Sequence, residues 1–186
     1  MVKPETIRSI LVQGKGRISA GRAEEVAALV LAQPRLAPRM MECLWDDDPA
    51  VANRAAHALE RITRYGGPVA ASILGDWKAA LLGLLPEATE NKLRWHLALV
   101  VPRMQLTPVE CRRAAQALHA WLEDGSSIVK TMALQGLYDL IRQDASLLPP
   151  VVDLLRIHGR SGTPAMRARS RQLLIQLEKP QKTAPK

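Results

Sequence analysis

The chain has 186 residues, of which 47% are hydrophobic and 24% charged, so its composition predicts a folded protein and excludes a disordered one. Phenylalanine is absent and aromatic residues make up only 3%, so the core must be built from Leu, Ala, Val and Ile. The net charge of +8 is uneven, because residues 1–22 carry +4, residues 23–155 carry −3 and residues 156–186 carry +7. Basic ends of this kind either meet an anionic partner or only keep the chain soluble.

The beginning of the chain, "MVKPETIRSILVQGKG", has no apolar stretch long enough for a signal peptide. No segment is expected to reach the roughly 20 apolar residues of a membrane span. Cys43 and Cys111 are solitary and far apart, which predicts reduced, packed thiols. We therefore expect a cytoplasmic protein without a membrane partner.

Two helices are predicted at the start of the chain, over residues 4–12 and 21–32, where they would cap the elements that follow. From residue 35 onward the chain reads as pairs of helices. The second helix of each pair begins at an N-cap residue that lies three positions before an apolar marker residue. The four markers are Val51, Leu93, Val129 and Met166, which are 42, 36 and 37 residues apart.

Periods of this length with two helices in each repeat indicate an α-solenoid. The predicted repeats are 35–64, 68–104, 107–143 and 147–178, preceded by the capping helices of residues 1–34. In the third repeat, Thr107 and Glu110 predict a capping box. The last residues, 179–186, have three lysines, two prolines and no large apolar side chain, which predicts a disordered basic tail.

Over about residues 35–178 the chain resembles HEAT-repeat proteins. The resemblance rests on an acidic turn, a proline and a hydrophobic–basic pair that opens the second helix. The pairs are Leu93-Arg94, Val129-Lys130 and Met166-Arg167, whereas Ala52 in the basic slot of the first repeat departs from the pattern. The resemblance implies an all-α fold, an α–α superhelix (solenoid) of stacked helical hairpins whose second helices line a concave face. It implies binding and not a reaction.

The resemblance also implies ladders of charge between neighbouring repeats. Acid and base slots suggest the pairs Asp46–Arg94 and Asp124–Arg167. The alternative is that these aspartates only serve their own turns and the N-termini of the helices that follow.

The concave face is expected to carry exposed aromatic residues among arginines, a composition typical of anchors for a protein partner. The alternatives are burial for Trp95 and Tyr138 and a merely solvated face for the arginines. The predicted partner-binding residues are His57, Arg61, Arg64, Trp95, Leu99, Arg103, Tyr138 and Arg142.

Catalysis finds little support in the sequence. No two of the four histidines are spaced as a helical metal site requires, so no metal and no cofactor is predicted. His96 is expected to be a packed histidine and His119 a solvated one. The run "DDD" at 46–48 matches no calcium loop, and the glycines of "GKGRISAG" predict a linker and not a phosphate cradle.

The sequence thus favours a non-catalytic scaffold that binds a protein segment. The alternative is a nucleic-acid-binding array that contacts the phosphate backbone weakly and in a salt-dependent manner. A remote variant of this alternative is a HEAT-like DNA glycosylase, with Asp139 as its carboxylate beside Tyr138 and Trp95. The residues expected to meet an anion are Arg167, Arg169, Arg171, Lys179 and Lys182.

Overall fold

The computed structural model describes residues 6–16 and 19–178, and this part of the chain consists of helices and connecting turns without a strand. The all-α prediction is therefore confirmed for these residues. The chain divides into two compact units, Met1–Gln105 and Leu106–Lys186. The division falls between the second and third predicted repeats.

Unit 1 contains six α-helices and three short 3₁₀ turns within its described residues. The helices are α1 (Ile7–Val12), α2 (Ala23–Ala32), α3 (Ala37–Glu42), α4 (Pro49–Tyr65), α5 (Gly67–Glu87) and α6 (Asn91–Val100). The 3₁₀ turns are Pro34–Leu36, Cys43–Trp45 and Val101–Arg103.

Unit 2 contains four α-helices and two 3₁₀ turns within its described residues. The helices are α7 (Pro108–Ala120), α8 (Ser127–Leu140), α9 (Leu148–Ser161) and α10 (Pro164–Glu178). The 3₁₀ turns are Trp121–Glu123 and Ala145–Leu147.

The predicted helix starts are largely confirmed. The carboxylate of Asp48 accepts a hydrogen bond of 2.8 Å from the backbone N–H of Ala50, with Pro49 as the first residue of α4. Thr107 and Glu110 form the predicted capping box of α7. Ser126 is the N-cap of α8, although its side chain makes no capping hydrogen bond.

The four marker residues all lie in the core. Val51 and Val129 are fully buried, Met166 is 2% exposed and Leu93 is 6% exposed. The apolar register of the second helices is therefore confirmed. Both cysteines are also buried free thiols, as predicted.

Helix α4 is buried on more of its circumference than the sequence suggested. It packs against α2 on one flank and α6 on the other, and it also contacts α1 and α5. The polar residues Asn53 and Glu60 of this helix lie away from its apolar stripe, yet each is only 5% exposed. Alanines on that side, Ala52 and Ala56, leave the room for the neighbouring helices to approach.

Arg54 of α4 is 2% exposed and holds the loop between α1 and α2. Its guanidinium donates four hydrogen bonds of 2.7–3.1 Å to backbone carbonyl oxygens, two at the end of α1 and two in the loop. A cation at the C-terminus of a helix meets the negative end of the helix dipole. The acceptors are Leu11, Val12, Gly16 and Ser19.

Two glycines of this loop are required by the approach of Arg54. A Cβ atom on Gly14 would lie 2.5 Å from a guanidinium nitrogen of Arg54, and Gly21 adopts a φ of +53°. In the predicted linker, the described residues 14–16 and 19–21 thus form a collar around the buried guanidinium of Arg54.

Helix α5 corrects the expectation that no segment resembles a membrane span. In the described part of the chain it alone has the length and apolar composition to cross a membrane, and 39% of its most apolar stretch is buried. Its buried residues include Ile73, Leu74, Leu81 and Leu85, which belong to the core of unit 1, while Asp76 interrupts its exposed side.

The residues of the predicted charge ladders make other contacts in the structure. The carboxylate of Asp46 instead accepts hydrogen bonds of 2.6 and 3.0 Å from Arg8 of α1 and also serves its own turn, while Arg94 donates to the backbone oxygen of Ala88. In unit 2, the Asp124 carboxylate accepts from the N–H of Ser126. Arg167 donates to the carbonyl of Gly162.

Candidate interaction surface on the second helices

Helices α2, α4 and α6 lie side by side in unit 1, and their outward side chains form one surface. We call it the α2–α4–α6 face and define it by Glu24, His57, Arg61 and Trp95. Arg61 donates to the Glu24 carboxylate through two of its nitrogens, which joins α4 to α2. Trp95 is half-buried, and its ring stacks on His96 with 3.5 Å between centroids.

Two histidines, His57 of this face and the buried His96, join α4 to α6. His57 Nδ1 lies 3.3 Å from His96 Nε2, and His96 Nδ1 lies 2.7 Å from the backbone oxygen of Lys92. On its other side, His57 Nε2 is 3.7 Å from the carboxylate of Glu24. His57 Nε2 is buried and has no hydrogen-bond partner at that distance.

Burial controls the protonation of His96, which is 1% exposed. Loss of hydration lowers the pKa of His96 to about 3, although the carbonyl of Lys92 acts in the opposite direction. His96 is therefore neutral at physiological pH. The prediction of a packed histidine is confirmed, and His119 is exposed as predicted.

The carboxylate of Glu24 has a different environment because it is largely exposed. The hydrogen bond from Arg61 lowers the pKa of Glu24, and the nearby imidazole of His57 contributes in the same direction. Glu24 is thus negatively charged, and it faces the unpartnered nitrogen of His57.

Arg103 was expected to be available to a partner, but it is committed within unit 1. Its guanidinium donates to the side chain and backbone oxygens of Glu60 and to the hydroxyl of Thr63, over 2.7–3.1 Å. Arg64 donates to the same Glu60 oxygen at 2.8 Å. Burial raises the pKa of Glu60, but the hydrogen bonds and charges of Arg103 and Arg64 outweigh it and lower the pKa overall.

Tyr138 was expected to be exposed to a partner, and this expectation is wrong. It is only 9% exposed, because α8 packs against α7, α9 and α10 within unit 2. The alternative of burial is therefore confirmed for Tyr138. Trp95 and Leu99 keep partial exposure, and Arg142 is exposed.

Unit 2 has an open trough between α8 and α10, with a volume of about 560 Å³. Ile128 is 47% exposed at this trough, and Arg169 donates across it to the side-chain oxygen of Gln135 at 3.1 Å. Its lining residues are Ser127, Ile128, Thr131, Met132, Ala165, Ala168, Arg169 and Gln172.

The basic residues proposed for anion contact are only partly described. Arg171 is exposed, and its Nε donates to the backbone oxygen of Arg167 one turn earlier. Arg167 and Arg169 are half-buried and also donate within unit 2. Lys179 and Lys182 lie outside the described residues.

Several residues of the α2–α4–α6 face were missed by sequence reasoning. The sequence shows Glu24 only as an acidic residue in the first turn of α2, which does not indicate its contacts with α4. The sequence did not indicate that His57 and His96 meet. They are 39 positions apart, and each lies at a different distance along its helix from the marker residue of that helix. Their meeting depends on how α4 and α6 rotate against each other.

Comparisons with known proteins find no match: no protein-family model, no curated protein and no solved structure corresponds to this chain. Within residues 6–16 and 19–178, no group of three or more His, Cys, Asp or Glu side chains could hold a metal ion. The α2–α4–α6 face thus combines a half-buried aromatic ring with a carboxylate–guanidinium pair, a combination suited to binding a polypeptide.

Proposed function

We propose that the protein is a non-catalytic interaction scaffold built as a short HEAT-like array. It binds a segment of a partner protein on the side formed by its second helices. The resemblance of the sequence to HEAT repeats, the paired helices and the register of the buried markers support a solenoid of stacked hairpins.

The observation that carries the proposal is the packing of α2, α4 and α6 side by side in unit 1. Stacked helix pairs place their second helices next to one another in this way. The resulting row holds three residues that the sequence singled out for binding: His57 and Arg61, which lie beside Glu24, and Trp95, which stacks on His96.

The chemistry of the face favours a segment that carries both an apolar side chain and polar groups. The exposed part of the Trp95 ring and the adjacent Leu99 provide apolar area. Glu24, 61% exposed at its side chain, and Arg61, 31% exposed, provide one charge of each sign at its edge. Aromatic and arginine side chains supply most of the energy in protein interfaces of this kind.

The experiment is a selection of peptides from a random display library on the full-length protein, followed by affinity measurement by fluorescence anisotropy. Trp95→Ala should weaken binding of the selected peptides about tenfold or more, as for an interfacial hot spot. Trp45→Ala is the matched control, because Trp45 is 42% exposed in the turn after α3 and lies outside the face.

Circular dichroism of both variants must first show an unchanged helical content. The proposal is wrong if the selected peptides bind Trp95→Ala and Trp45→Ala equally well. It is also wrong if selection yields no peptide whose binding depends on α2, α4 or α6.

A further inference from the structure

With His96 neutral, the row of contacts from Lys92 through His96 and His57 to Glu24 has only one protonation state in which every contact is favourable. His96 Nδ1 must carry a hydrogen, because its neighbour at 2.7 Å is the carbonyl oxygen of Lys92. A neutral His96 then presents a lone pair at Nε2 toward His57. His57 must therefore donate from Nδ1 across the 3.3 Å that separate the two rings.

The contact between His57 Nε2 and Glu24 sets a second requirement on the protonation of His57. With its hydrogen on Nδ1, a neutral His57 points the lone pair of Nε2 at the Glu24 carboxylate, 3.7 Å away. The other neutral tautomer satisfies Glu24 but sets two lone pairs against each other between His57 and His96. Only the imidazolium form of His57 donates in both directions.

We propose that the Glu24–His57–His96 chain is a pH-sensitive clasp between α2, α4 and α6. Proton uptake at His57 Nε2 closes the contact with Glu24 and tightens α2 against α4. Loss of that proton leaves Nε2 buried without a donor to offer and loosens the start of α2.

Several charged side chains surround the two histidines of the clasp. Arg61 binds the same carboxylate of Glu24 and holds part of the α2–α4 contact when His57 is neutral. The charged groups around the two rings are Glu24 of α2, Glu60 and Arg61 of α4, and Lys92 of α6.

The inference does not depend on the proposed partner binding, because it concerns three helices of unit 1 alone. Its physical basis is that a buried polar atom without a hydrogen-bond partner is costly, and proton binding removes that cost here. His57 Nε2 is such an atom. Its side chain as a whole is still 23% exposed, so protons can reach the ring.

The test follows two signals of the full-length protein by NMR between pH 5 and pH 8.5. The ring nitrogens of His57 report its protonation, and amide hydrogen exchange in α2, corrected for the intrinsic dependence on pH, reports the opening of the helix. We expect the exchange protection of α2 to fall about two- to fivefold as His57 loses its proton, the range of a partly exposed ion pair.

His57→Gln should abolish this pH dependence, whereas His119→Gln, which changes an exposed histidine of α7, should leave it intact. Glu24→Gln retains His57 and provides an independent variant if His57→Gln does not fold. In Glu24→Gln, the protection of α2 should no longer depend on pH. The proposal is overturned if α2 protection in the unmodified protein is constant between pH 5 and pH 8.5, or if it changes equally in His57→Gln and in the unmodified protein.

Discussion

The two units bury different kinds of side chain. Unit 1 encloses Asn53, Arg54, Glu60 and His96, whereas the buried polar residues described in unit 2 are the hydroxyl-bearing Thr131 and Ser170. Unit 1 is therefore held partly by directional, charge-dependent contacts, and unit 2 mainly by hydrocarbon packing. Directional contacts fix how helices rotate against each other, but they also make the unit sensitive to pH and to single polar substitutions.

The largest effect is expected from Arg54→Met in unit 1. The substitution keeps the buried apolar stem but removes the donors of four backbone carbonyl oxygens. Unpaired buried acceptors and the loss of charge-assisted hydrogen bonds should lower the free energy of unfolding by about 4 kcal/mol. Urea denaturation measures the change.

Arg113→Met is the control for this substitution, because Arg113 is exposed on α7. It should change stability by less than about 0.5 kcal/mol. Equal, small effects of both substitutions would show that the collar around Arg54 contributes nothing to unit 1.

In unit 2, the largest loss of stability is expected from a substitution that leaves a cavity in the core. Leu137 is 2% exposed on α8, and Leu137→Ala should cost about 3 kcal/mol, within the range of about 2–5 kcal/mol for buried leucines. The loss should be independent of pH because no charged group is removed. A loss below about 0.5 kcal/mol in urea denaturation would place Leu137 outside the core.

A smaller effect is the acid sensitivity that His96 gives to unit 1. The pKa of His96 is about 3 in the folded protein, against an ordinary value of 6.5. Below pH 6.5 the unfolded chain binds a proton that the folded chain does not, so stability falls as pH decreases, by about 1.4 kcal/mol per unit. Between pH 6.5 and pH 5 the loss should be about 2 kcal/mol.

His96→Gln should flatten this dependence, since glutamine does not titrate, and His119→Gln should not. The window from pH 7 to pH 5 lies above the ordinary range of the carboxylates, so their titration adds little to the slope. An unchanged slope in His96→Gln, measured by urea denaturation at each pH, would mean that another group controls the acid sensitivity.

The smallest effect concerns the basic end of the sequence. The full-length chain should bind a DNA duplex weakly and without regard to sequence, with an affinity that falls steeply as salt increases. A 1–178 truncation lacks Lys179, Lys182 and Lys186, and should reduce the slope of log affinity against log salt by up to about 0.9 for each lysine that contacts a phosphate. Salt-insensitive binding, or strong discrimination between duplex sequences, would favour specific nucleic-acid recognition over scaffolding.

Local patterns along the chain determined the helices of this protein. The caps at Asp48 and Thr107, the proline at position 49 and the buried markers follow from interactions within a few residues, which periodicity and capping rules capture. The helices predicted over residues 4–12 and 21–32 correspond to α1 and α2 in the described part of the chain.

Only the tertiary structure decided which polar residues are buried and which meet. Arg54, Glu60 and Tyr138 are buried because α4 and α8 have neighbours on more than one flank, and a helical pattern shows one apolar stripe without revealing a second contact beside it. The meeting of Glu24, His57 and His96 depends on the rotation and spacing of three helices far apart in sequence. Shifts of about 1 Å make or break such hydrogen bonds, whereas apolar burial is less directional. For this reason the sequence determines the core but not the site.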